Sequence, residues 1–252
     1  VRGGGAVLGM SFETGRIAVV TGVTSGIGEA IVDRLVASGA SVHGIGRSAD
    51  KLGLARDRFG ERFIPVEVDL ASRASRRSAI ALLSETLPRV DVLVCNAAAC
   101  AFATATEMDG DAFAELFEVN LLASVDLVRG LVPRLGEGSH VVLLSSVTAR
   151  HLPHPKFAPY AMTKTAIEGF AEALRLELWP KGTRVSTIAP GLVDTPIYDK
   201  VRGFEATAAA LRKQVPAWLR ADDVADAVMW TIDRPANVLV SEMTLLPRGQ
   251  AR

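Results

Sequence analysis

Between Ile17 and Leu246, short apolar runs alternate with longer segments of helical period, and few architectures accept that alternation. Residues 17–21, 41–45, 62–68, 90–95, 140–145, 184–189 and 237–246 read as strands. The run 140–145 is apolar at nearly every position, as a strand covered on both faces must be. Segment 26–38 carries Ile27, Ile31 and Leu35 at helical spacing, and further helices are expected around 72–87, 111–136, 158–179 and 221–232. The alternation predicts an α/β fold, a doubly wound parallel sheet of about seven strands with helices on both faces. No repeat or linker divides 11–252, which are expected to form one domain, while the glycine-rich stretch 1–10 reads as a flexible leader.

Charge removes some partners. Lys+Arg 28 equals Asp+Glu 28, and a net charge of zero gives no electrostatic hold on nucleic acid or an anionic membrane. No apolar run approaches the ~18 residues that span a bilayer, so no membrane partner is expected. Two cysteines, Cys95 and Cys100, are too few for a disulfide framework and are not spaced as zinc ligands. They read as thiols of a reducing compartment, the cytoplasm.

The first strand runs directly into Thr21-Gly22-Val23-Thr24-Ser25-Gly26-Ile27-Gly28 and then a helix. Glycines let the backbone approach a pyrophosphate with no Cβ in the way, and the helix N-terminus offers free N–H groups. Gly22, Thr24, Ser25, Gly26, Ile27 and Gly28 are therefore a candidate dinucleotide phosphate loop.

This Thr-Gly-x-x-x-Gly-x-Gly pattern resembles the short-chain dehydrogenase/reductase family, and the resemblance runs nearly the whole length. Asn96-Ala97-Ala98 follows the fourth strand where the family carries Asn-Ala-Gly, and Asn120 sits within Glu118-Val119-Asn120. Ser145-Ser146-Val147 closes the fifth strand, and Tyr160-Ala161-Met162-Thr163-Lys164 matches Tyr-x-x-x-Lys. Pro190-Gly191-Leu192-Val193-Asp194-Thr195 follows the sixth strand. The resemblance implies a Rossmann-type fold and an NADP(H)-type oxidoreductase acting on an alcohol or carbonyl, with Asn120, Ser146, Tyr160 and Lys164 catalytic. It further implies that Lys164 holds the nicotinamide ribose, Ser146 the substrate oxygen and Asn120 a relay water. Asp69 with Leu70 would meet the adenine, and Asn96, Ala97, Ala98, Tyr160, Pro190, Gly191, Val193 and Thr195 would complete the cofactor site.

The residues bear a chemical reading of their own. Tyr160 and Lys164 are four apart and share a helix face. A phenol with pKa near 10 is a poor base at neutral pH, so the field of Lys164 and an oxidised nicotinamide is expected to lower it. Ser146 stands fourteen residues before Tyr160 where the family has thirteen, which leaves Ser145 and Ser146 in competition. Side chains alternate along a strand, so only one can face the cleft, and Ser146 is preferred for its Val147-Thr148-Ala149 continuation. His151 and His154 lack an acidic or cysteine partner nearby, and no metal is expected. Arg73, Arg76 and Arg77 read as a solvated helix face.

Cofactor choice rests on the end of the second strand. A site for NAD(H) places an acid there to accept from the ribose hydroxyl. This chain has Gly46 followed by Arg47 and Ser48, which suit a 2′-phosphate, so NADP(H) is expected in preference to NAD(H).

Segment 158–179 has two apolar stripes. Tyr160, Lys164, Ile167, Ala171, Leu174 and Leu178 lie on one side; Met162, Ala166, Gly169, Ala173 and Leu176 lie on the other. The second, small-residue stripe suggests a homodimer or homotetramer. Residues 195–220 are expected to wall the substrate cleft as a lid. Its Lys200, Arg202, Arg212 and Lys213 could receive the carboxylate of a 3-hydroxy acid, and segments 234–238 and 246–247 resemble family members that oxidise such acids, serine among them. Alternatively those cations face solvent over an apolar pocket of Phe204, Val215 and Trp218. A catalytically silent nucleotide-binding module on the same fold is the rival function, and the intact Asn120, Ser146, Tyr160, Lys164 set argues against it.

Overall fold

The computed structural model describes residues 15–250, so the leader at 1–10 lies outside the described residues. Strands β1 (Ile17–Thr21), β2 (Ser41–Gly46), β3 (Phe63–Glu67), β4 (Val92–Cys95), β5 (His140–Leu144) and β6 (Arg184–Pro190) precede two short ones. These are β7 (Val193–Asp194) and β8 (Leu219–Arg220), followed by β9 (Glu242–Leu245). Seven of the strands form one sheet in the order β3-β2-β1-β4-β5-β6-β9, while β7 and β8 pair separately. Every pairing is parallel. The order reverses between β1 and β4, and at such a switch point the strands' carboxyl ends leave a crevice.

Eight α-helices fill the crossovers: α1 (Gly26–Ala37), α2 (Ala49–Phe59), α3 (Arg73–Thr86), α4 (Gly110–Phe117), α5 (Ala123–Leu131), α6 (Ala158–Leu178), α7 (Glu205–Gln214) and α8 (Ala221–Ile232) among the described residues. Strand side chains alternate between two cores. Val19, Leu93 and Val141 meet α3, α5 and α6 through Leu83, Leu127 and Ile167. Val20, Val94 and Val142 meet α1, α2 and α8 through Ile31, Leu52 and Val228. Double coverage is why these strands are apolar without alternation.

Three expectations need correction. The helix expected over 111–136 is interrupted by a π turn, Glu118–Leu122, and such bulges concentrate at functional sites. The last strand begins at Glu242 because its register with β6 starts at Thr187↔Glu242; the segment before it turns, with Val238 N–H donating to Pro235 O. Arg76 does not belong to a solvated face. It is 2% exposed, because its guanidinium finds carboxylates on the neighbouring chain segment, Glu118 at 2.6 Å and Asp126 at 3.0 Å. Arg73 and Arg77 are exposed. Helix α2 escaped the periodicity reading since only Leu52 and Ala55 of its eleven residues are buried.

Candidate active site

A cleft of about 440 Å³ opens over the carboxyl ends of the strands. Its floor begins at the glycine loop. Gly22 has φ 73°, in the left-handed region, and an added Cβ would stand 2.9 Å from Ala97 Cα. A Cβ on Gly28 would overlap Gly22 O, so α1 packs directly against the loop. Ser25 precedes α1 without a side-chain cap, which leaves the helix's first N–H groups for an anion. Such a cradle fits a dinucleotide pyrophosphate.

Gly22, Thr24, Ser25, Gly26, Ile27, Arg47, Asp69, Leu70, Asn96, Ala97, Ala98, Ser146, Tyr160, Lys164, Pro190, Gly191, Val193 and Thr195 all line the cleft. Gly28, Ser48 and Asn120 stand behind its wall. Ser48 Oγ accepts from Lys51 N and caps α2. Asn96 Nδ2 donates to Thr21 O at 2.9 Å, and Thr21 Oγ1 accepts from the Asn96 and Ala97 amides, which ties β4 to β1. At the adenine end, exposed Arg47 and Lys51 both line the cleft. Lys51 was missed from sequence, although a cation four residues after Arg47 was its signal.

At the other end, α6 carries Tyr160 and Lys164 on the face toward β5. Lys164 is 2% exposed, its Nζ donates to Leu144 O at 2.7 Å, and it lies 5.6 Å from the Tyr160 ring centroid. Burial lowers Lys164 to about 8. Burial also pushes the Tyr160 phenol well above its ordinary range, and the Ser146 hydroxyl is the neighbour that opposes this. The chain's own lysine does not outweigh this desolvation, since burial weakens its charge as well. The phenol is held protonated, as a donor.

The two serines part company. Both line the cleft, contrary to the expectation that only one could face it, but Ser145 Oγ donates to Glu168 Oε1 at 3.0 Å, toward α6, whereas Ser146 Oγ accepts from Thr148 N at 3.2 Å and faces Tyr160. Asn120 is buried in the π turn. Its Nδ2 donates to Ala99 O at 2.9 Å and Thr163 Oγ1 at 3.0 Å, and its Oδ1 accepts from Ala99 N at 2.7 Å. Thr163 Oγ1 in turn donates to Tyr160 O at 2.7 Å. The Asn120 side chain thus braces the wall at Ala99 and the start of α6. Among the described residues no three His, Cys, Asp or Glu side chains come together as a metal site.

This cleft has counterparts. The model of the short chain dehydrogenase family matches residues 16–206. The chain belongs to that family. Its fellow members include the serine 3-dehydrogenase of Rhizobium radiobacter, 30% identical over 92% of this chain and 94% of that one. Among solved structures, a serine dehydrogenase complexed with NADP+ in its closed form superposes with a TM-score of 0.85 at 26% identity, covering 94% of this chain and 96% of the other. A short chain dehydrogenase from Burkholderia cenocepacia in complex with NADP gives a TM-score of 0.84 at 29% identity, covering 94% and 99%. As a short chain dehydrogenase the protein is an oxidoreductase.

Family membership also frames what sequence reasoning left out. Cys100, Pro196, Ile197 and Tyr198 line the cleft beside Tyr160, and no motif announced them. Burial pushes both the Cys100 thiol, to about 12, and the Tyr198 phenol up, so neither ionises near neutral pH. Of the lid cations, Arg202, Arg212 and Lys213 are exposed while Phe204 and Val215 are buried.

Proposed function

We propose that this short chain dehydrogenase interconverts an alcohol and its carbonyl with NADP(H), through Ser146, Tyr160 and Lys164. The observation that carries this reading is one cleft joining the half-buried Tyr160 phenol, beside Ser146 and Lys164, to a glycine cradle flanked by Arg47 and Lys51. NADPH, when bound, supplies a hydride to the carbonyl carbon. Ser146 and Tyr160 hold the carbonyl oxygen, and Tyr160 gives it a proton, leaving the alcohol and NADP+. Lys164, fixed by Leu144 O, binds the nicotinamide ribose and stabilises the phenolate until solvent returns its proton; oxidation reverses each step. Asn120 holds the wall in place and leaves its main chain for a relay water. Arg47, with Lys51 in support, holds the 2′-phosphate, and no acid at Gly46 repels it.

The silent-module alternative gains nothing from a cleft whose catalytic side chains converge. A spectrophotometric screen of NADPH oxidation against diverse aldehydes and ketones tests the reading, with Tyr160→Phe as the inactive control. Turnover of none, alongside measurable NADPH binding, would falsify it.

Assembly and location follow from two further features. The second stripe of α6 is uncovered within the chain: Met162 is 46% and Leu176 74% exposed, and a Cβ on Gly169 would have nothing within 4 Å. A second copy packed on this face would form a homodimer, or one step of a homotetramer. Among the described residues no helix is long and apolar enough to cross a membrane. Free Cys95 and Cys100 suit the reducing cytoplasm.

A further inference from the structure

Beyond Tyr160 the cleft meets one ring, Tyr198, which is backed by a buried cluster of others. Tyr198 lines the cleft, and its ring centroid lies 5.2 Å from Phe204 and 5.6 Å from Trp218. Phe204 in turn lies 5.2 Å from Phe102 and 5.3 Å from Phe157, both in edge-to-face contact. Cys100, which also lines the cleft, packs against the same cluster.

Charge is distributed in the opposite sense. Among the described residues lining the cleft, the charged side chains are Arg47, Lys51, Asp69, Glu115 and Lys164. Arg47 and Asp69 follow β2 and β3 and Lys51 lies in the first turn of α2, at the end proposed for the adenine, and Glu115 would repel an anion. Lys164 is committed to Leu144 O. The lid's Arg212 lines an adjoining pocket beside Tyr198 and Phe204, where its guanidinium is taken up 2.6 Å from Asp194 and 4.2 Å above the Trp218 ring. A carboxylate placed beside Tyr160 would lose its hydration and meet, among the described side chains lining the cleft there, no cation without a partner of its own, whereas an uncharged group would keep its contacts.

From this distribution we infer that the substrate is an uncharged, apolar or aryl-bearing ketone or its secondary alcohol, selected by the Tyr198 ring and the Phe204 cluster that backs it, and that 3-hydroxy acids are excluded. This rests on the carbonyl–alcohol reading above. It separates the chain from the serine 3-dehydrogenases it resembles, since serine carries a carboxylate.

Ethyl benzoylformate and benzoylformate present one ketone with the carboxyl group esterified or free, and form a matched pair. With NADPH, kcat/KM for the ester should exceed that for the acid at least 30-fold. An equal or preferred acid overturns the inference while leaving the oxidoreductase reading intact. A second arm does not depend on turnover: quenching of Trp218 emission in the NADP-loaded protein, taken as the difference from Trp218→Phe. The ester should quench and the acid should not. Quenching by both alike, by the acid alone or by neither overturns the inference. Failure of every carbonyl to oxidise NADPH sinks the activity reading instead, and the emission arm still decides the substrate class.

Discussion

Arg76 Nη2 donates to Glu118 Oε2 at 2.6 Å, and Glu118 opens the π turn that carries Asn120. The same buried guanidinium donates to Leu70 O at 2.6 Å and to Asp126 Oδ2 at 3.0 Å. One cation therefore ties the loop after β3, at Leu70, to the turn that carries Asn120. Arg76→Met should destabilise the fold by about 2–3 kcal/mol, below the ~3–5 of a fully buried pair. The reason is that the Glu118 and Asp126 side chains are 33% and 29% exposed and water can solvate them once they are abandoned. Urea midpoints at constant m-value measure this, and a change under 0.5 kcal/mol would contradict it.

Tyr160→Phe should lower kcat by about 100-fold or more, the scale of a lost general acid, with the NADPH Kd within about twofold of wild type. Retention of more than a tenth of kcat would mean that the proton comes from elsewhere. Lys164→Ala should damage kcat and NADPH affinity together. Fluorescence titration separates the two effects, and unchanged affinity would remove the ribose role.

Arg47→Ala should weaken NADPH about 10- to 150-fold against an unchanged NADH, the range of a charge-assisted contact worth roughly 1.5–3 kcal/mol. Converting the site toward NADH takes more than an acid at Gly46. A Cβ there would stand 2.9 Å from Thr24 Cγ2, so Gly46→Asp should work best with Thr24→Ser, which deletes that methyl group. Ratios of kcat/KM for the two cofactors read the outcome, and a wild type indifferent between them would end the argument.

Acid should unfold the protein partly through His140. Burial lowers this imidazole from 6.5 to about 3, with Nε2 2.7 Å from Ser186 Oγ. Ser186 Oγ donates to Val240 O, so it accepts from the histidine, and Nδ1 is left buried without a partner. Below pH 6.5 the unfolded chain takes a proton that the folded chain refuses until about pH 3, so stability falls as pH drops through that window, by up to about 5 kcal/mol. His140→Gln keeps a donor toward Ser186 and removes the titration. Denaturation at pH 7.5, 5 and 4 should show a flatter acid limb for the variant; parallel limbs would refute the assignment.

The proposed packing of a second copy on α6 predicts that Leu176→Glu with Ala173→Glu lowers the sedimentation coefficient to a monomer's without loss of the fold, because both side chains are exposed on the uncovered stripe. Sedimentation velocity with circular dichroism tests it. An unchanged sedimentation coefficient would place the interface elsewhere.

Much of this protein was readable along the chain because the relevant physics is local. Apolar runs spaced by helical segments imply a parallel sheet, since strands covered on both faces have no polar side to show. Gly22, Gly26 and Gly28 between strand and helix imply the cradle, and Tyr160 and Lys164 one turn apart imply a shared face. Other decisions rest on partners far away in sequence. Arg76 looks solvated until Glu118 and Asp126, 42 and 50 residues on, arrive beside it. The different surroundings of Ser145 and Ser146, which both line the cleft, were not readable because adjacent strand residues are alike until Glu168 of α6 pairs with Ser145. Arg212 looked available to a carboxylate until Asp194, distant in the sequence, paired with it and Tyr198, stacked on buried Phe204, took its place along the cleft. Periodicity records which face a side chain takes; only the crossing of distant elements determines what that face meets, and burial and charge energies depend on the latter.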